Sequence, residues 1–296
     1  MKLQKKMWLG LFSLVLLASV IITACKKDNS SSATTTVPAG KQKVAVYLND
    51  DPVPNLTKVL IDVRFVEVKI DTGKMHHEDD YYNDDHDGDN DHHDGDHFGK
   101  WDTLSVTPRV YDLLKLKNGT DTLIANGLAN TGKITKIRIT LGTNNVIWTD
   151  SIHHYPLPIC DSKPYVYIKV SSSSIDSLAA GQYRIRIDFN VAKSIEAENG
   201  QFCLRPMLKS YSDNTAGKIE GIVKPQEAHA KVMAFNKTDT AYAIPEEDGE
   251  FRIRGLKPAT YSVLYKATTP YKDTTIVNVL VQKGIETKLP AVTLHK

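Results

Sequence analysis

The chain has 296 residues, with 37 basic and 35 acidic side chains, 41% apolar residues and 3 cysteines. This length exceeds what one domain needs and suits two. The basic residues are scattered rather than clustered with aromatics, which excludes a nucleic-acid footprint, and beyond the N-terminus no apolar run approaches the ~20 residues that cross a bilayer.

The chain opens on a lipoprotein signal. Lys2, Lys5 and Lys6 form a positive n-region, Leu9 to Ile22 an apolar run, and Thr23 and Ala24 are the small residues before Cys25. Cleavage after residue 24 and acylation of Cys25, with palmitate among the acyl groups, predicts a tethered globular protein whose partner is the membrane surface. An ordinary secretory signal with an incidental cysteine is the alternative. Residues 25–40 are rich in Ser, Thr and Lys without apolar periodicity, and read as a flexible tether. Lys26, Lys27 and Asp28 after the anchor resemble the surface-export signals of some Gram-negative lipoproteins. The expected location is the outer membrane, facing either the periplasm or the cell surface.

Loss of the signal removes three lysines and leaves 34 basic against 35 acidic groups. That balance hides an asymmetry, because residues 71–99 hold ten Asp, one Glu and one Lys, so this segment is −10 and the rest of the mature chain is +9.

From residue 41 the pattern is that of strands. Val44, Val46 and Leu48 alternate with Ala45 and Tyr47; Val59, Ile61, Val63, Phe65, Val66, Val68 and Ile70 form a longer run; Ile134, Ile137, Ile139 and Leu141 form another. Tyr165, Tyr167 and Lys169 alternate with Val166, Ile168 and Val170, and Ile185, Ile187 and Phe189 alternate with Arg184, Arg186 and Asp188. Asn118-Gly119, Asn126-Gly127, Thr131-Gly132, Ala180-Gly181 and Asn199-Gly200 mark turns, with short helical turns expected near Leu113 to Lys117 and Val191 to Ala197. The prediction is an all-β chain of two antiparallel, Greek-key-type β-sandwich domains: residues 41–210 with an Asp/His-rich insertion at 71–99, a linker at 211–216, and a second sandwich of seven short strands at 217–296.

Several segments carry a family signature. Asp50-Asp51-Pro52, Trp101 and Leu104, Tyr111-Asp112-Leu113-Leu114, Gly132 with Ile137-Arg138-Ile139, Asp188-Phe189, Ala192-Lys193-Ser194-Ile195 and Leu204-Arg205-Pro206 together resemble the bacterial family called domain of unknown function 4382 over residues 41–210. The Asp/His insertion and the segment Pro156 to Lys163 depart from its pattern. Gly221, Val232, Asp248-Gly249-Glu250-Phe251, Gly255-Leu256, Pro258 and Tyr261 resemble the carboxypeptidase regulatory-like, transthyretin-type sandwich. Both resemblances imply lipid-anchored envelope proteins built of β-sandwich modules, and neither supplies a catalytic residue.

The insertion carries the most chemistry. Asn83, Asp85, Asp87, Gly88, Asp89, Asp91 and Asp94 occupy positions 1, 3, 5, 6, 7, 9 and 12 of a calcium-loop register, in which alternating carboxylates converge on one Ca²⁺ and the glycine permits the turn. Position 12 is Asp94 rather than Glu, and no helices flank the loop. His86, His92, His93 and His97 offer a second ligand set, suited to Zn²⁺ or another transition metal. A merely solvated charged loop is the third reading. With Cys25 lipidated, Cys160 and Cys203 are expected to pair as a disulfide in an oxidising compartment, the alternative being two buried thiols.

Other candidates are weaker. His153-His154 near Asp150 lack a nucleophile tied to them by sequence and read as edge-strand surface. Glu246, Glu247, Asp248 and Glu250 are explained by a turn. Tyr165 and Tyr167 are the best candidates for an exposed aromatic pair. The expected function is a non-enzymatic, lipid-anchored envelope protein, a binding or structural module with a protein or glycan ligand. The alternatives are a carbohydrate-binding or adhesion lipoprotein, marked by a row of exposed aromatics on one sheet face, and a metal-assisted hydrolase.

Overall fold

The computed structural model describes residues 37–51, 56–73, 99–106, 108–198 and 200–296, and Val37–Lys296 form one compact unit. Among the described residues fourteen strands precede residue 212: β1 (Lys41–Asp51), β2 (Lys58–Asp71), β3 (Lys100–Thr103), β4 (Arg109–Asp112), β5 (Thr122–Asn130), β6 (Lys133–Leu141), β7 (Val146–Trp148), β8 (His154–Pro156), β9 (Tyr165–Lys169), β10 (Ile175–Ala179), β11 (Gln182–Asn190), β12 (Ile195–Glu198), β13 (Gln201–Leu204) and β14 (Leu208–Tyr211). Eight follow: β15 (Gly217–Lys224), β16 (Lys231–Phe235), β17 (Thr240–Ala243), β18 (Glu250–Leu256), β19 (Ala259–Lys266), β20 (Thr274–Val281), β21 (Glu286–Lys288) and β22 (Val292–Thr293). The all-β class holds, and most pairings are antiparallel; β1 with β11, and β15 with both β21 and β22, run parallel. The expected helical turns are a 3₁₀ turn at Leu113–Lys115 and one α-turn at Val191–Ser194.

Two sheets enclose the first core. One runs β10-β11-β1-β5, with β14 also on β11; the other runs β8-β7-β2-β6-β9, with β3 and β4 on the free edge of β2. Alternation decides which side chains meet between them: Val44, Val46 and Leu48 of β1 and Ile185, Ile187 and Phe189 of β11 are buried against Val59, Ile61, Ile137 and Ile139 of the other sheet. Strand β2 changes phase midway. Val59, Ile61 and Val63 point inward, then Val66, Val68 and Ile70 do, because a register shift between Val63 and Phe65 inserts one extra residue. This bulge turns Phe65 out to solvent, where it is 55% exposed.

The second core has its own two sheets, β18-β15-β21 with β22 on β15, and β17-β16-β19-β20. Phe251, Tyr261 and Tyr265 are its largest fully buried side chains. Gly221 on β15 makes room for the first of them, since a Cβ there would lie 2.8 Å from the Phe251 ring. The Asp248-Gly249 turn needs its glycine twice over: φ is +87°, and a Cβ would come within 2.2 Å of the Val223 carbonyl oxygen. Hydrophobic contacts thus form one cluster from residues 44–204 and another from residues 219–294.

Candidate functional site

Cys25, the loop residues Asn83, Asp85, Asp87, Asp89, Asp91 and Asp94, and the histidines His86, His92, His93 and His97 lie outside the described residues. Cys160 and Cys203 are joined by a disulfide with their Cα atoms 5.0 Å apart. Two backbone bonds align the segments, from Cys160 N–H to the Leu204 carbonyl (3.0 Å) and from Leu204 N–H to the Pro158 carbonyl (2.7 Å). The bridge spans 43 residues, and the loop entropy it removes from the unfolded chain corresponds to about 4 kcal/mol. Glu196 approaches both sulfurs, but sulfurs bonded to each other are not thiolates, so the three form a staple rather than a metal centre. Arg205 flanks it, donating to Glu196 (2.6 Å) and to Asp161.

The histidine pair is a turn. Asp150 accepts from the backbone N–H of His153 (2.7 Å), from His153 Nδ1 (2.6 Å) and from the N–H of Ile152 (2.8 Å), which holds its carboxyl down at about 2. His154 stacks on Trp148 with ring centroids 4.7 Å apart. Among the described residues no hydroxyl or thiol is hydrogen-bonded to either histidine, so nucleophile, base and orienter are not assembled there.

The outer face of the seven-stranded sheet carries an aromatic strip. Register places Phe65, Thr140 and Tyr165 in one row across β2, β6 and β9, then Glu67, Arg138 and Tyr167, then Lys69, Lys136 and Lys169. Trp101 of β3 starts opposite Lys69 and reaches across the face to Tyr167, the ring centroids 6.1 Å apart. Arg138 lies over Trp101 at 4.6 Å and over Tyr165 at 5.7 Å, and donates twice to Glu67, at 2.6 and 2.7 Å. That bidentate pair raises the guanidinium above its ordinary value. Tyr165 and Tyr167 stay 50% and 57% exposed. The expected exposed aromatic pair is therefore on the surface, joined by Phe65 and Trp101, which the sequence reading had not grouped with it.

The opposite side of the module carries a polar network. Arg186 points away from the first core and is 7% exposed, bonded to Asp121 (3.0 Å), Asp176 (2.7 Å) and Asp213 (2.9 Å). Arg254, on β18 of the second sandwich, binds the same Asp213 at 2.7 Å and donates to the Gly119 carbonyl at 2.7 Å. Lys218 of β15 adds a third cation 3.4 Å from Asp213. Burial works to raise the Asp213 carboxyl, but Arg254, Arg186 and Lys218 together hold it below the usual carboxylate range. Alongside, Asn118 donates to the Ile244 carbonyl (2.8 Å) and to Glu246 (2.7 Å).

A buried chain of bonds continues the network inward. Tyr211 donates to Asn49 Oδ1 (3.0 Å), Asn49 donates to Asp188 (3.1 Å), and Lys209 lies 3.4 Å from Asp188. Burial raises the Asp188 carboxyl despite Lys209 and Asn49, and raises the Tyr211 hydroxyl. A cleft of about 420 Å³ opens beside Asn118, between Lys117 on one side and His229, Lys231 and Glu247 on the other. Sequence reading missed this junction, because arginines that alternate with apolar residues on β11 look the same whether water or another module covers them.

No curated protein matches the chain. Solved structures with similarity include a type II cohesin–X-dockerin complex from Acetivibrio cellulolyticus, at 20% identity, 26% of this chain, 56% of that chain and a TM-score of 0.22. The Bacillus anthracis TIE protein follows at 10% identity, 81% of this chain, 34% of that chain and a TM-score of 0.22. The shaft pilin SpaA from Lactobacillus rhamnosus GG gives 9% identity, 86% of this chain, 97% of that chain and a TM-score of 0.25. The chain thus spans less than two thirds of the first two of these proteins. The family model described as domain of unknown function (DUF4382) matches residues 41–206, more than half of the chain, and the chain belongs to that family.

Proposed function

We propose that this is a non-enzymatic, lipid-tethered envelope protein whose two β-modules act as one rigid body, holding a binding face away from the membrane. The observation that carries this reading is the junction: Asp213 takes Arg186 from one module and Arg254 and Lys218 from the other, so the segment between the cores is a partly buried clamp. Side chains paired this closely within a partly buried contact resist bending, which a loosely linked pair of domains would not. Among the described residues no helix is long and apolar enough to cross a membrane, and the tether is assigned to the lipid on Cys25.

Two measurements test the reading. Labelling with an alkynyl palmitate analogue is expected to mark the full chain and to vanish in Cys25→Ala; labelling that persists overturns the tether. Spin labels at exposed sites in the two modules are expected to give one narrow distance distribution, broadened by Arg254→Ala. A broad distribution in the unaltered chain overturns the rigid body.

A further inference from the structure

We propose that the outer face of the seven-stranded sheet binds a neutral polysaccharide, its sugar rings stacking on Phe65, Trp101, Tyr165 and Tyr167; this rests on the reading of the chain as a module that presents a binding face. Single exposed apolar residues are ordinary, but adjacent exposed aromatics on one sheet face mark a ligand surface. Here Phe65, Tyr165 and Tyr167 are each at least half exposed, and Trp101 joins them through its contact with Tyr167. The bulge in β2 creates part of the strip, since without the extra residue Phe65 would face the core.

The strip is held in place before any ligand arrives. Trp101 is braced by the Arg138 guanidinium at 4.6 Å, and Arg138 is fixed by two bonds to Glu67, so little side-chain freedom remains to be lost on binding. Charge selects the class of ligand. Between the aromatic rings Arg138 is paired with Glu67, a contact without net charge, and the complement to that stretch of the face is an uncharged chain. The C–H faces of pyranose rings lie flat on aromatic rings, and Thr140, Glu67 and the tyrosine hydroxyls supply donors and acceptors for sugar hydroxyls within the same rows. Lys136 and Lys169 border one end, which is why an acidic chain is the competitor to exclude.

The test is affinity electrophoresis of the detergent-solubilised full chain through gels containing laminarin, xylan or mannan, with alginate as the acidic control. Retardation is expected in at least one neutral gel, with at least about a tenfold weakening for Tyr165→Ala/Tyr167→Ala and retention for Tyr165→Phe/Tyr167→Phe, which keeps the rings. Trp101→Phe is expected to remove the polysaccharide-induced change in tryptophan fluorescence while the melting temperature stays close to that of the unaltered protein. No retardation in any neutral gel, undiminished binding by the double alanine variant, or retardation by alginate alone that disappears at about 0.5 M salt overturns the proposal. A chain that binds none of these sugars yet keeps a narrow intermodule distance loses this inference alone. One that binds sugar with a broad distance loses only the rigid-body reading.

Discussion

Arg186 of the first module and Arg254 of the second converge on one carboxylate, that of Asp213, at 2.9 and 2.7 Å. Two cations that would repel each other are held together by a group on the segment between the cores, with Asp121 and Asp176 balancing the rest. Removing Arg254 takes from Asp213 and Asp121 a cation that both modules share and weakens the junction, while Arg186 and Lys218 still hold Asp213. Arg254→Ala is therefore expected to split a single thermal transition, followed by calorimetry, into two module transitions. Asp213 adds an acid limit: its folded value lies below the ordinary 3.8, so its contribution is present above that pH and is lost as pH falls through the folded value. Asp213→Asn should remove that part of the acid sensitivity.

Asp188 acts in the opposite sense. Burial raises its carboxyl above the ordinary 3.8, so the folded state holds a proton that the unfolded state gives up, and stability falls as pH rises from there through the folded value. Denaturant midpoints measured across the acid-to-neutral range should decline less steeply in Asp188→Asn, which keeps the bond from Asn49 in a neutral form. An identical slope in the two proteins would contradict this assignment.

Tyr265 fills the second core, and its hydroxyl has no hydrogen-bond partner among the described residues; burial pushes it up to about 12. Its ring meets Phe251 edge-on at 5.7 Å, a contact that phenylalanine would preserve. Tyr265→Phe is expected to stabilise the protein by about 1 kcal/mol in urea unfolding, because an unsatisfied buried donor is removed at no loss of packing.

For the acidic insertion, the calcium-loop register of Asn83 to Asp94 leads to a direct titration. Calorimetry with millimolar Ca²⁺ is expected to give saturable binding that Asp85→Asn/Asp87→Asn/Asp91→Asn abolishes. Saturation instead by micromolar Zn²⁺, lost on replacing His92 and His93, would assign the loop to the histidine set.

The faces of the strands were legible because side-chain direction follows a period of two. Val166 and Ile168 against Tyr165 and Tyr167 suffice to say which pair is buried, and the structure agrees. What lies on the far side of a polar face is another matter. Arg184, Arg186 and Asp188 alternate with a core stripe as solvent-facing residues would, yet Arg186 and Asp188 are buried. Ser212 and Asp213 sit in a polar stretch that reads as a linker, although Ser212 is fully buried and donates to Asp176. Charges that pair across a junction and charges that meet water are spelled with the same letters. The bulge at Phe65 is visible as a phase change in the apolar run, but that it lies in the row of Tyr165 follows only from the β2–β6–β9 register.

The parallel pairing of β1 with β11 sets an order in time as well as in space. Asn49 meets Asp188 across 139 residues of chain, so when β1 leaves the ribosome its neighbour does not yet exist. The first sheet cannot close until β11 and β14 have been made, and contacts this distant in sequence form slowly. The second module repeats the arrangement over a shorter span, since its first strand β15 waits for β21 and β22. The seven-stranded sheet, whose strands all lie between residues 58 and 169, has its partners in hand before β11 exists, so the two sheets of the first core are completed in sequence rather than together.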